Sequence, residues 1–260
     1  MTKDADLQIA ADVIAAVRAR QPLVHCISAA VSADVVANGL LAAGARPVMT
    51  ETIEEAPAMT QAADALLINL GMLSRAAAEA IPVCAALGHE FGKAWVLDPT
   101  AVGVAPIRTH LATDLLALKP TAIRGNASEI LAVAGERRAG RGADSGDDVA
   151  DALSAAQTLA LRTRGVVAVS GPIDLIVDAD RIQRLARGHQ LLTRVTGSGC
   201  LLGALSAACV AVWQDAFSGV LAATLWLSIA GERAARLASR PGAFRMHLLD
   251  QLDAIGEECE

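Results

Sequence analysis

Residues 193–203 read "TRVTGSGCLLG", a combination whose types and spacing could do chemistry on an anion. Gly197 and Gly199 allow a sharp turn and close backbone approach. A Gly-rich turn that opens a helix aims N–H groups and the positive end of the helix dipole at one spot, which favours negative charge. Cys200 closes the turn with a thiol. A turn that only starts a buried helix, with Cys200 as small apolar filler, accounts for the same residues. The dipole lowers a thiol pKa and burial raises it, so the spacing leaves the sign of the shift open. Neither a Walker A loop nor a dinucleotide fingerprint is present in this stretch.

Such a turn needs a scaffold. The runs "LVHCI", "RPVM", "ALLINL", "AWVLDP", "TAIRG" and "VVAVSG" read as strands, and helical spacing separates them. "DLIVDADRIQRL" adds two short strands about a turn at 178–180, and everything after Cys200 reads as helix. The alternation predicts a three-layer α/β/α sandwich with a mostly parallel central sheet, as a single domain over residues 1–260. The polar segment "ERRAGRGADSGDD" predicts a loop over 136–147.

Ligands of open α/β sheets bind beyond the carboxyl ends of strands, which selects His25, Met49, Asn69, Gly71, Asp98, Arg124, Asn126, Glu129, Ser170 and Gly171. Asp98, followed by Pro99, could cap a turn or hold a hard cation such as Mg²⁺. Asn126 with Glu129 forms a capping-box pattern that would start a helix without any ligand. Arg124 presents a fork that matches phosphate geometry. His25 is expected to satisfy a backbone group near the core, and Thr52 with Glu55 to cap a further helix.

Composition narrows the function classes. Hydrophobic residues make up 53% and aromatics 2%, with no tyrosine, so Ala, Leu, Val and Ile must fill the core. A net charge of -6 argues against nucleic acid and anionic membranes as partners. Cysteines 26, 84, 200, 209 and 259 include no C-x-x-C pair, which predicts a reducing, cytoplasmic setting and no structural zinc. The acidic N-terminus indicates neither export nor organelle import. Gln214 and Asp215 split the most apolar region into pieces shorter than the roughly 20 residues of a membrane span.

In order along the chain, "PLVHCIS", "VANGLLAAGARPVM", "ADALLINLG", "VLDP", "IRGNASEI", "VVAVSG" and "GHQLLTRVTGSGC" resemble the hydroxyethylthiazole kinases of the ribokinase-like superfamily. The resemblance implies ATP-dependent, Mg²⁺-requiring phosphorylation of the primary alcohol of 4-methyl-5-(2-hydroxyethyl)thiazole in thiamine salvage. By matching motif it implies that Arg124, Asn126, Ser170 and Gly199 contact ATP, and that Met49 and Gly197 contact the thiazole. Asp98 and Glu129 would organise the metal and its waters, and Cys200 would take the catalytic position beside the alcohol. A homotrimer with active sites between subunits is implied as well.

Departures from the family pattern cluster on the acceptor side: Ser28 and Ala29 in place of Thr-Asn, Met72 in place of Thr, and Thr100 and Ala101 in place of Val-Gly. They suggest a kinase whose hydroxyalkyl-heterocycle acceptor has shifted. A nicotinamide-nucleotide-hydrate dehydratase, which shares the fold but places Asp after the turn, is one alternative of a different class. A nucleotide-binding regulatory protein is the other.

Overall fold

The computed structural model describes residues 3–136 and 149–255. An eight-stranded sheet has the order β2-β1-β3-β4-β5-β6-β7-β8. Its strands are β1 (Leu23–Ile27), β2 (Arg46–Val48), β3 (Ala65–Asn69), β4 (Ala94–Asp98), β5 (Ala122–Asn126), β6 (Val166–Ser170), β7 (Asp174–Val177) and β8 (Ile182–Leu185). The first six pair in parallel, and β7 and β8 complete the sheet in antiparallel.

Apolar residues on both faces of the central strands sort into two cores by the two-residue strand period. In β3, Ala65 and Leu67 join one core while Leu66 and Ile68 join the other. In β4, Val96 divides in the same way from Trp95 and Leu97. The first core is covered by α1 (Lys3–Arg20), α2 (Ala33–Ala42), α8 (Ser198–Val212), α9 (Ala216–Leu237) and α10 (Pro241–Ala254). On the opposite face lie α3 (Ala56–Ala62), α4 (Arg75–Glu90), α5 (Pro106–Leu115), α6 (Ala127–Val133) and α7 (Val149–Thr163). These are the three layers expected from the alternation.

The helices α8 and α9 are apolar nearly all round because both are buried in the first core. Asp215 separates them as the N-cap of α9, accepting from the Ser218 N–H at 3.3 Å. Among the described residues no helix is long and apolar enough to cross a membrane.

Two local expectations are corrected. Thr52 and Glu55 form no capping box: α3 begins after Glu55, which offers no side-chain cap and instead accepts from the Thr50 hydroxyl at 2.9 Å. Proline at the start of α3 sets its entry without one. His25 and Arg124 lie within β1 and β5, not after them. Apart from Glu136, the loop expected over 136–147 falls outside the described residues.

The turn from α7 into β6 is packed so closely that it admits only glycine. A Cβ on Gly165 would stand 2.5 Å from the carbonyl oxygen of Pro120 and 2.9 Å from that of Thr121. Both obstacles are backbone, so no rotamer change relieves them. Gly165→Ala is expected to cost about 2 kcal/mol of stability, read as a lower urea midpoint with unchanged m-value.

Candidate functional site

Four strands end in polar side chains at one edge of the sheet: Asn69, Asp98, Asn126 and Ser170. Parallel register aligns them, Asn69 beside Asp98 and Asn126 beside Ser170. The start of α8 reaches this edge from the first helical layer. Gly197, its N-cap, has φ 91°, and a Cβ there would meet the Ser32 Cβ at 2.9 Å. The first helical bond runs from the Leu201 N–H to the Gly197 carbonyl at 2.8 Å, and no side chain caps the helix. The N–H groups of Gly199 and Cys200 are therefore left without intrahelical partners, a ready site for an anion.

Gly199 sits directly on Arg124, since a Cβ at 199 would fall 2.7 Å from Nη1. The guanidinium lies 3.4 Å from Oδ2 of the fully buried Asp98 and donates through Nη2 to the Ser170 hydroxyl at 3.1 Å. Its Nε is buried without a partner. Burial alone would lower its pKa, but the charges of Asp98 and Glu129 outweigh that and hold it firmly protonated.

Asp98 also accepts from the Thr100 hydroxyl at 2.9 Å. The box of Asn126 and Glu129 forms as the spacing predicts: the Asn126 side chain accepts from the Glu129 N–H at 2.9 Å, and Glu129 accepts from the Asn126 N–H at 2.9 Å. Glu129 does more than cap, because its other oxygen accepts from the Ala101 N–H at 3.0 Å. Ala101, at φ 62°, is a non-glycine residue in the left-handed region. Burial, and then the charge of Asp98, push the Glu129 pKa up.

Cys200 receives a hydrogen bond from the Asn69 amide at 3.3 Å, and the Asn69 oxygen accepts from the Gly71 N–H at 2.8 Å. The sign that spacing left open is now resolved. Burial and the nearby Asp98 charge raise the thiol pKa despite Ser32, Arg124 and Asn69, so Cys200 is a neutral thiol near pH 7.

Met49 is not tied to the others by a hydrogen bond; it follows β2 and packs against the same apolar core as Cys200. His25 is wholly buried, with Nε2 2.9 Å from the Thr50 carbonyl and Nδ1 2.9 Å from the Thr60 hydroxyl. The carbonyl requires Nε2–H, so Nδ1 accepts, and burial holds the ring neutral. Thr100, Ser32 and Asp174 were not among the site residues drawn from the strand ends. Thr100 could have been found two residues beyond Asp98, whereas Ser32 and Asp174 meet the site only through tertiary packing.

Asp98 and Glu129 offer only oxygen donors, the type hard cations take. Among the described residues no group of three or more His, Cys, Asp or Glu side chains could hold an ion. The pair therefore fits Mg²⁺ that keeps several of its own waters, and does not fit an all-protein cage.

A model of the hydroxyethylthiazole kinase family matches residues 14–258. A hydroxyethylthiazole kinase from Kineococcus radiotolerans is 46% identical over 245 residues, 94% of this chain and 89% of that protein. The solved hydroxyethylthiazole kinase protein of Pyrococcus horikoshii OT3 superposes with a TM-score of 0.88 at 35% identity, covering 96% of this chain and 95% of that one. Pyridoxal kinase from Staphylococcus aureus, solved with AMP-PCP and pyridoxal, gives a TM-score of 0.64 at 16% identity over 81% and 87%, a likeness of fold alone.

Asp174 supplies a test of the electrostatics. Asp174 opens β7 beside Leu175, which pairs with Val169, and its carboxylate accepts from the Gly171 N–H at 2.9 Å. Burial pushes its pKa up from 3.8 to about 6, against the pull of Gly171 and Arg124. A raised carboxylate pKa contributes stability that is fully present below the unfolded value and is lost as pH rises through the folded one. Asp174→Asn keeps an acceptor for Gly171, so it should gain on the wild type by about 2–3 kcal/mol between pH 4 and pH 7. Urea unfolding across that range measures it; parallel pH curves for the two proteins would contradict the assignment.

Proposed function

Because the chain belongs to the hydroxyethylthiazole kinase family, we propose that it transfers the γ-phosphoryl group of ATP to the primary alcohol of 4-methyl-5-(2-hydroxyethyl)thiazole, a step of thiamine salvage. The observation that carries this reading is the uncapped start of α8 facing Arg124 and Asp98 across Gly199. Free N–H groups and a guanidinium converge where charge develops during phosphoryl transfer, a reaction governed by positioning and neutralisation.

In this reading Arg124, Asn126, Ser170 and Gly199 bind the nucleotide, and Met49 and Gly197 bind the thiazole. Asp98 and Glu129 are the residues that would hold Mg²⁺. Bound Mg²⁺ would neutralise phosphate charge. The alcohol oxygen forms the new P–O bond as the bond from the γ-phosphorus to the β–γ bridging oxygen breaks, ADP leaves, and the hydroxyl proton passes to an oxygen of the transferred phosphoryl group and from there to solvent water. Cys200, a neutral thiol, orients the alcohol and contributes little as a ready base. A cytoplasmic homotrimer with shared sites completes the proposal; exposed Val31 and Met72, near the acceptor end, are apolar surface that such an interface would cover.

The family match and the thiol at position 200 favour the kinase over the dehydratase alternative. A shifted acceptor remains a distinct reading, and one observation supports it. A Cβ on Gly71 would meet Asn69 Oδ1 at 2.8 Å, the Ala29 Cβ at 3.2 Å and Thr100 Cγ2 at 3.4 Å. Residues that depart from the family pattern thus meet beside the amide that holds Cys200.

Two measurements test these readings. In an ADP-release assay, Asp98→Asn and Arg124→Ala should lower kcat by at least about 100-fold. Cys200→Ala should lose no more than about 100-fold, the low end of general-base contributions; complete loss would make the thiol the essential base. A comparison of KM for the thiazole alcohol and related hydroxyalkyl heterocycles tests the shift, which ordinary affinity for the thiazole would sink.

A further inference from the structure

His25 is a fully buried titratable group with no part in the phosphotransfer chemistry. It stands in β1 at the last position of the pairing with β2, directly beside Val48. The strand β2 is an edge strand of three residues, so its backbone is held on one side only, and Met49 follows where that pairing stops. From there the chain runs through 49–55 without helix or strand until α3 begins.

The imidazole takes over where the ladder ends. Its Nε2–H donates to the Thr50 carbonyl at 2.9 Å, one residue beyond Met49, and Nδ1 accepts from the hydroxyl of Thr60 in α3, also at 2.9 Å. Thr60 is as buried as His25, so leaving either ring nitrogen or its partner unmet is costly. Two further side-chain bonds of this segment lie farther along it: the Thr50 hydroxyl donates to Glu55 at 2.9 Å, and the Ser74 hydroxyl donates to Glu51 at 2.7 Å. The His25 bond is the one that ties the backbone beside Met49 to the interior of β1.

We propose that His25 is a positioning residue for the acceptor: by fixing the Thr50 carbonyl it sets where Met49 stands against the thiazole. The inference rests on the reading that Met49 contacts the thiazole. Histidine suits the task because a neutral imidazole carries a donor and an acceptor on one rigid ring, and burial holds this ring neutral. An apolar side chain of similar size would leave the carbonyl and the hydroxyl both unmet. The effect is selective, because Arg124, Ser170 and Gly199 stand on β5, β6 and α8; loss of the Thr50 bond acts on the acceptor and spares the nucleotide.

Steady-state kinetics of the full-length protein with ATP and the thiazole alcohol test this. His25→Asn is too short to reach the Thr50 carbonyl and should raise KM for the thiazole alcohol about tenfold, the equivalent of one buried hydrogen bond, with kcat and KM for ATP within about threefold of the wild type. His25→Gln, whose amide reaches the Nε2 position, should restore KM, and Thr60→Val, which removes the other ring bond, should leave it unchanged. Met49→Ala is the reference: no thiazole turnover by the wild type, or an unmoved thiazole KM in Met49→Ala, overturns the acceptor reading and this inference with it. Where Met49→Ala does respond, the inference alone is overturned by an unmoved thiazole KM in His25→Asn, by an equal rise in KM for ATP, by a rise in Thr60→Val as large as that in His25→Asn, or by His25→Gln behaving like His25→Asn. Should His25→Asn not fold, NMR of the wild-type imidazole decides: saturating thiazole alcohol should shift the His25 Nε2–H signal and ADP should not, and an unmoved signal overturns the inference.

Discussion

The position of the Arg124 guanidinium is the constraint from which the rest of the site follows. Its side chain is only 14% exposed, so its charge must be met by protein, and Asp98 and Ser170 meet it from the strands on either side. Both partners depend on the β4-β5-β6 order. The guanidinium in turn occupies the space of a side chain at 199, so a larger residue where α8 begins would have to push Arg124 from its contacts with Asp98 and Ser170. Removing Arg124 leaves Asp98 buried without its counter-charge, a much larger penalty than the pair's net contribution. The helix start and the strand ends are therefore one interdependent structure.

Charge balance explains the thiol. Asp98, Glu129 and Asp174 all act on Arg124, so three carboxyl groups surround one guanidinium. Burial raises the pKa of both Glu129 and Asp174, and the charge of Asp98 raises that of Glu129 further, so a further buried negative charge is unfavourable here. A polyphosphate entering such a place needs positive charge beyond Arg124, which the free N–H groups of α8 supply in part and a hydrated cation would supply further. A neutral thiol at 200 offers a polar contact without a fourth negative charge.

The layered fold was legible because two periodicities dominate the chain: the strand runs supply both faces of a parallel sheet, and the intervening helices supply one face each. The Asn126–Glu129 box was legible because capping is a local interaction between residues three apart. The apparent box at Thr52 and Glu55 has the same spacing and fails, since Glu55 is taken by Thr50. Local pattern identifies such a box but not the competitor for its side chain. Nothing in the spacing of Asp98, Arg124 and Asp174 marks them as one electrostatic group, because their proximity exists only once the sheet has formed. The double role of Glu129, bonded to Ala101, was hidden for the same reason.

The wall around Gly71 shows how residues separated in sequence become one surface. Ala29, Gly71 and Thr100 come from the ends of three different strands, β1, β3 and β4, that are adjacent in the sheet. Around Gly71 their side chains approach within van der Waals distance of where a Cβ would stand, and the Asn69 oxygen is nearer still. That oxygen is already committed to the Gly71 N–H, which turns the amide nitrogen toward Cys200. Any alteration of the wall therefore reaches the thiol through Asn69. A methyl at 29 and a hydroxyl at 100 drawn onto Asp98 leave this wall with few hydrogen-bonding groups free, so under the proposed reading shape would carry more of an acceptor's selection than polarity.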